Sequence, residues 1–329
     1  MKIAARIAFL LGLSVLVTLV ARSGGQTILN ELSGAGWLLL LLVPLHTLPL
    51  LLDVFGWRVL VLGPSRLRVL LAIAAIREAI NRLLPVANIG GEFIGVRLLT
   101  RHGTPSGIAA ASVIVETMLT LVSQSLFAAI GLVCLASLAA TLRSSTGLLL
   151  GLALGLPAIG AIIALIGSGV IIDQVERLAS RVYTIVVPGA PRIELRALLD
   201  ASIRQLVRSP GRLARAVAWQ LSGLLAGCLE TWLVLRWLGH PVGFAAAAAL
   251  ESLAQTARSL LFIVPAGLGV QELGLIGLSH LIGVGADVAL ALSLAKRLRE
   301  VLFGLPALAL WQWGEESKTT LSVQGGAER

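Results

Sequence analysis

Charged and amide side chains recur at regular spacing inside stretches that are otherwise apolar, and they set the chemical question. Arg77 and Asn81 stand four residues apart, as do Glu78 and Arg82, so each pair shares one face of a helix. Glu251, Gln255 and Ser259 repeat at fours with Arg258 beside them, and Glu116, Thr120 and Gln124 form a third stripe. Glu230 stands next to Thr231 in a further apolar segment. Ionised groups in such surroundings are unfavourable unless paired or wet, so these stripes face a bundle interior or a cavity. Two roles are open to them there: interhelical hydrogen bonds that hold the fold, or contacts to a polar ligand.

The elements that position these residues follow from composition. Of 329 residues, 57% are hydrophobic and 13% charged, and the mean hydropathy is +0.93; ordinary soluble domains carry about 25% charged residues. Runs such as GWLLLLLVPLHTLPLLL (36–52) do not alternate as barrel strands would over about ten positions. The class is therefore an all-α polytopic integral membrane protein. The net charge of +9 marks cytoplasmic loops and contact with anionic lipid. No basic patch interleaved with aromatics points to nucleic acid.

Apolar spans are expected at about 5–22, 35–55, 107–139, 147–172, 216–238 and 287–311. Lys2 and Arg6 place the N-terminus in the cytoplasm, and the first run reads as a retained helix rather than a cleaved signal. Residues 1–172 make an N-terminal membrane half and 216–311 a C-terminal half. Between them, 173–215 is a basic cytoplasmic loop with eight arginines and four acids. Its stretch 192–206 has amphipathic helical patterning that suits either an interfacial helix or a linker helix packed on the bundle. Lys296, Arg297, Arg299 and Glu300 fall inside the last span and must pair internally or snorkel. The polar tail 312–329 is expected to be cytoplasmic and disordered.

Two segments break the pattern. In LLPVANIGGEFIG (83–95), Pro85 precedes Glu92 by seven residues, with Gly90 and Gly91 between; in FIVPAGLGVQELGLIG (262–277), Pro265 precedes Glu272 by seven, with Gly267 and Gly269 between. Arg77 lies eight residues before the first proline and Arg258 seven before the second. Proline lacks an N–H and ends a helix, and glycine lets the chain reverse. Arg58, Arg66 and Arg68 precede the first segment, and Arg97 and Arg101 close it, so both flanks look cytoplasmic. A re-entrant hairpin over 69–99 resolves this; the other reading is a kinked helix followed by a surface helix. A second hairpin is expected over 244–283, opening to the opposite side, which makes the pair an inverted repeat of the kind that holds a transporter's binding site. Helix starts near Gly90 and Gly269 favour an anion. Glu92 and Glu272 either cap those helices, pair with Arg77 or Arg258, or bind a cation or proton. Candidate cavity residues are thus Arg77, Glu78, Asn81, Glu92, Glu116, Gln124, Glu251, Gln255, Arg258 and Glu272.

Nothing resembles a soluble enzyme's catalytic set. The four histidines are scattered, and Asp53 and Asp173 read as residues near helix ends. No metal-spaced cluster, cofactor motif or Walker loop is present. Cys134 and Cys228 read as small core residues, with a disulfide between them left open.

The motif PVANIGGEFIGVRLL (85–99), the following span with Glu116, and VPAGLGVQELGL (264–275) resemble the flippase-like membrane domain of lysylphosphatidylglycerol synthases. Within that superfamily the chain is most similar to hopanoid-biosynthesis-associated membrane proteins of bacteria, over about residues 5–310. The resemblance implies a bacterial inner-membrane protein that flips or delivers an amphipathic lipid, a hopanoid or an anionic phospholipid, with hopanoid-biosynthesis proteins as possible partners. The competing readings are a non-transporting scaffold of a hopanoid-synthesis complex and a membrane enzyme acting on lipid headgroups.

Overall fold

The computed structural model describes residues 33–84, 90–141, 192–260 and 270–324. The expected spans 5–22 and 147–172, residues 173–191 of the basic loop, and Pro85, Pro265, Gly267 and Gly269 lie outside the described residues. The described chain is helical. A 3-10 stretch, Gly36–Leu41, leads into α1 (Leu42–Leu60), followed by α2 (Leu67–Leu83), α3 (Gly90–Arg101), α4 (Ser106–Thr141) and α5 (Arg192–Val207). Then come α6 (Pro210–Trp237), α7 (Phe244–Leu260), α8 (Val270–Leu281) and α9 (Ala286–Gln324).

Among the described residues, three helices are long and apolar enough to cross a membrane: Ser33–Leu60, Ser106–Leu138 and Pro210–Trp237. They coincide with three of the expected spans, and the protein is an all-α polytopic membrane bundle. The third starts six residues earlier than expected, because Pro210 occupies the first helical turn, where its missing N–H is no loss. By contrast, α3 and α8 have 12 residues each, about 18 Å, against a hydrocarbon core of about 30 Å. Local chemistry sets the ends. Leu84 is extended (φ −103°, ψ 146°), as a residue before proline must be, and this closes α2. Gly103, at φ 93°, takes the left-handed conformation that lets the chain turn from α3 into α4.

Side-chain neighbours give the helix directions. Gly91 lies against Asn81 and Gly95 against Arg77, so α2 and α3 form an antiparallel pair. Ser259 meets Gln124 at 3.5 Å while Ser252 packs on Gly131, so α7 runs antiparallel to α4. Along α9, Lys296 pairs with Glu251 and Glu300 with Arg258, so α7 and α9 run the same way. Arg82 also reaches Glu300, while Gly304 packs on Leu83 and Ala79, and Leu308 and Trp311 reach the apolar cluster of Leu70, Ile73 and Ile76. Thus α2 runs against α9. The C-terminal ends of α2 and α7 therefore approach the middle of α9 from opposite directions.

Two expectations are refined by packing. In α5, Ile203 and Leu206 are buried against Ala111, Ile114 and Val115 of α4, while Arg204 and Arg208 are exposed. The C-terminal half of α5 thus packs its apolar residues on the bundle, as a linker helix would. α9 continues through the expected disordered tail to Gln324. Cys228 is buried with Phe127 and Ala248, Cys134 packs on the same cluster, and both are free thiols.

Candidate functional site

Between the helices lies a cavity of about 470 Å³. α2 contributes the last two turns before its break, Arg77, Glu78, Asn81 and Arg82; α3 contributes Glu92 from its first turn. α4 adds Glu116 and Gln124, and α7 adds Glu251, Gln255 and Arg258 near its C-terminal end. All the sequence-predicted cavity residues except one therefore meet here. The exception is Glu272, which lies outside the lining. It is fully buried, accepts a hydrogen bond from Ser293 Oγ at 3.1 Å and pairs with Arg297 at 3.3 Å, so it ties α8 to α9.

Arg77 organises one side of the cavity. Its guanidinium pairs with Glu92 and, at 2.9 Å, with Glu116, and it stacks over the Trp57 ring at 4.6 Å. Trp57 is itself fully buried and donates its Nε1–H to Ser112 at 3.3 Å, so the aromatic face under Arg77 is held in place. Asn81 joins the break directly: its Oδ1 accepts the Gly91 N–H at 2.8 Å and its Nδ2 lies 3.4 Å from Glu92. An otherwise orphaned donor at the start of α3 is thereby satisfied. Glu92 neither merely caps its helix nor stands free; it pairs with Arg77, one of the roles expected for it.

The other side centres on Glu300, which no stripe of fours had singled out. Arg82, Arg258, Arg297 and Arg299 lie 3.6, 3.3, 3.3 and 3.8 Å from its carboxylate. Each has a second partner: Glu78 for Arg82, Gln255 for Arg258, Glu272 for Arg297 and Glu230 for Arg299. Lys296 pairs with Glu251, which also accepts from Thr231 at 2.5 Å. The charges that sat uncomfortably in the last span are thus paired internally. Removing one partner of such a buried pair leaves a stranded charge.

The sequence reading missed His46 and Asp53 as lining residues. Asp53 lies inside α1 rather than near its end, because the helix continues to Leu60. A signal was present: His46 and Asp53 are seven residues apart, two turns on one helical face, with Pro49 between them. Among the described residues, the cavity carries seven carboxylates against five lysine and arginine side chains, with His46 in addition. Such a lining can pair with both anionic and cationic groups of a ligand.

No curated protein and no solved structure matches the chain. Its sequence does match a family over residues 3–307, nearly its whole length, and so it belongs to the family described as the lysylphosphatidylglycerol synthase TM region.

Proposed function

We propose that the protein moves an amphipathic lipid, a hopanoid or phospholipid of the bacterial inner membrane, across or out of the bilayer through this cavity, without a catalytic step. One observation carries the proposal. Two helix pairs with short second members, α2–α3 and α7–α8, send their broken ends toward Glu300 from opposite directions. That is the arrangement expected of two re-entrant hairpins in an inverted repeat, whose interruptions line a substrate site near the bilayer midplane. The family's description names a lipid, which supports a lipid as the cargo. The headgroup would exchange water for Arg77, Glu92, Arg82 and Arg258 while its tails stay in lipid. The partners are then membrane lipids and, for a hopanoid cargo, the proteins that make it.

The test is leaflet exchange. Purified protein is reconstituted into liposomes carrying labelled phospholipid or hopanoid in one leaflet. Wild type should accelerate exchange, and Arg77→Gln, Glu92→Gln and Arg258→Gln should each slow it about tenfold, equivalent to about 1.4 kcal/mol of barrier. Gel filtration checks that the variants remain folded. Wild-type rates in all three variants would remove the cavity from the transport path, and an absence of exchange with every lipid would favour the scaffold.

A further inference from the structure

His46 is the buried member of the four histidines, and its surroundings contain a conflict. Nε2 lies 3.0 Å from Glu78, and Nδ1 lies 3.0 Å from Glu230 Oε1. Arg299 Nη1 also points at Nδ1 while keeping Glu230 Oε2 at 2.8 Å. A carboxylate beside Nδ1 requires that nitrogen to carry a proton; a guanidinium N–H beside it requires a lone pair. One ring nitrogen cannot satisfy both. Two arrangements would remove the conflict. In one, the imidazolium donates to Glu78 and Glu230 and the Arg299 contact to the ring opens. In the other, the neutral ring donates from Nε2 to Glu78 and accepts from Arg299 at Nδ1, and the Glu230 Oε1 contact to the ring opens.

We propose that His46 is a proton-binding site that switches the link between α1 and α9, with Nδ1 passing from Arg299 to Glu230 as the proton arrives. The groups facing the ring come from three helices: Glu78 from α2, Glu230 from α6, and Arg299 with the edge-on Phe303 ring, 5.1 Å away, from α9. Glu78, Glu230 and Arg299 together carry one excess negative charge, which a proton on the ring cancels. Through Arg82 and Glu300 the same groups join Arg258, Arg297 and Glu272, and this wider set of four arginines and four glutamates is already balanced with the ring neutral. Both ring states therefore have compensating charge within reach. His46 lines the cavity, so water there can supply and remove the proton.

Coupling of this switch to lipid movement rests on the function proposed above; the proton site itself does not. The two are tested separately. Protein labelled with 15N-histidine in nanodiscs is followed by NMR between about pH 5 and pH 8, where a histidine's charge changes. The resonance lost in His46→Gln should pass from a ring with unprotonated Nδ1 to one with both nitrogens protonated. Glu230→Gln should hold that ring in one protonation state throughout. A wild-type ring that keeps one state across the range overturns the proposal. In liposomes, the exchange rate should vary with pH in wild type and in the control His102→Gln, an exposed histidine at the α3–α4 turn, and lose that variation in His46→Gln. Retained variation in His46→Gln overturns the coupling. The NMR change in a protein that exchanges no lipid would uphold the proton site and overturn the transport reading.

Discussion

Arg77 shows how a single residue carries a membrane-buried polar site. It is 8% exposed, yet it is an ion-pair partner to α3 and α4 and a cation over an aromatic ring. Its removal should therefore do more than lose contacts. Arg77→Met is expected to destabilise the protein by about 3–5 kcal/mol, because Glu116 would be left buried and unpaired. Adding Glu116→Gln should recover part of that loss. Thermal unfolding in detergent measures both, and a double variant as unstable as the single one would mean that the pair is not the source of the effect. Residue types and fours-spacing made Arg77, Glu78, Asn81 and Glu116 legible as a set. They could not show that Glu272 turns away from that set to bind Ser293 and Arg297.

At the scale of elements, the α2–α3 pair depends on close backbone approach. A Cβ on Gly91 would sit 2.5 Å from the Arg77 carbonyl oxygen and 2.8 Å from Asn81 Nδ2. Gly91→Ala should then cost about 1–3 kcal/mol through overpacking, whereas Gly211→Ala, with nothing within 4 Å, should be tolerated. Equal unfolding temperatures for the two would contradict the tight pairing. The break itself was readable, since Pro85 forces Leu84 out of helix and glycine follows. For α5 the amphipathic pattern left two environments open, and the burial of Ile203 and Leu206 on α4 shows which apolar surface it meets.

For the whole molecule, the opposed directions of α2 and α7 are the property on which the proposed transport depends. They can be checked without any substrate. In a background with Cys134 and Cys228 replaced by serine, single cysteines at exposed Arg68 and Phe244 mark the outer ends of α2 and α7. Impermeant maleimide should label them from opposite sides of a sealed vesicle. Labelling of both from one side would exclude an inverted arrangement.

Hydropathy and the cost of exposing backbone to lipid already dictate a helical membrane bundle from the amino-acid order, and proline and glycine mark where its helices must stop. Regular polar spacing likewise announces an interior that is not plain apolar packing. Which charges neutralise one another is another matter. His46, Glu78, Glu230, Arg299 and Glu300 are scattered over some 250 positions of sequence, and no local pattern relates them. Their pairing arises only when α1, α2, α6 and α9 pack, because buried charge selects partners by proximity in space rather than along the chain.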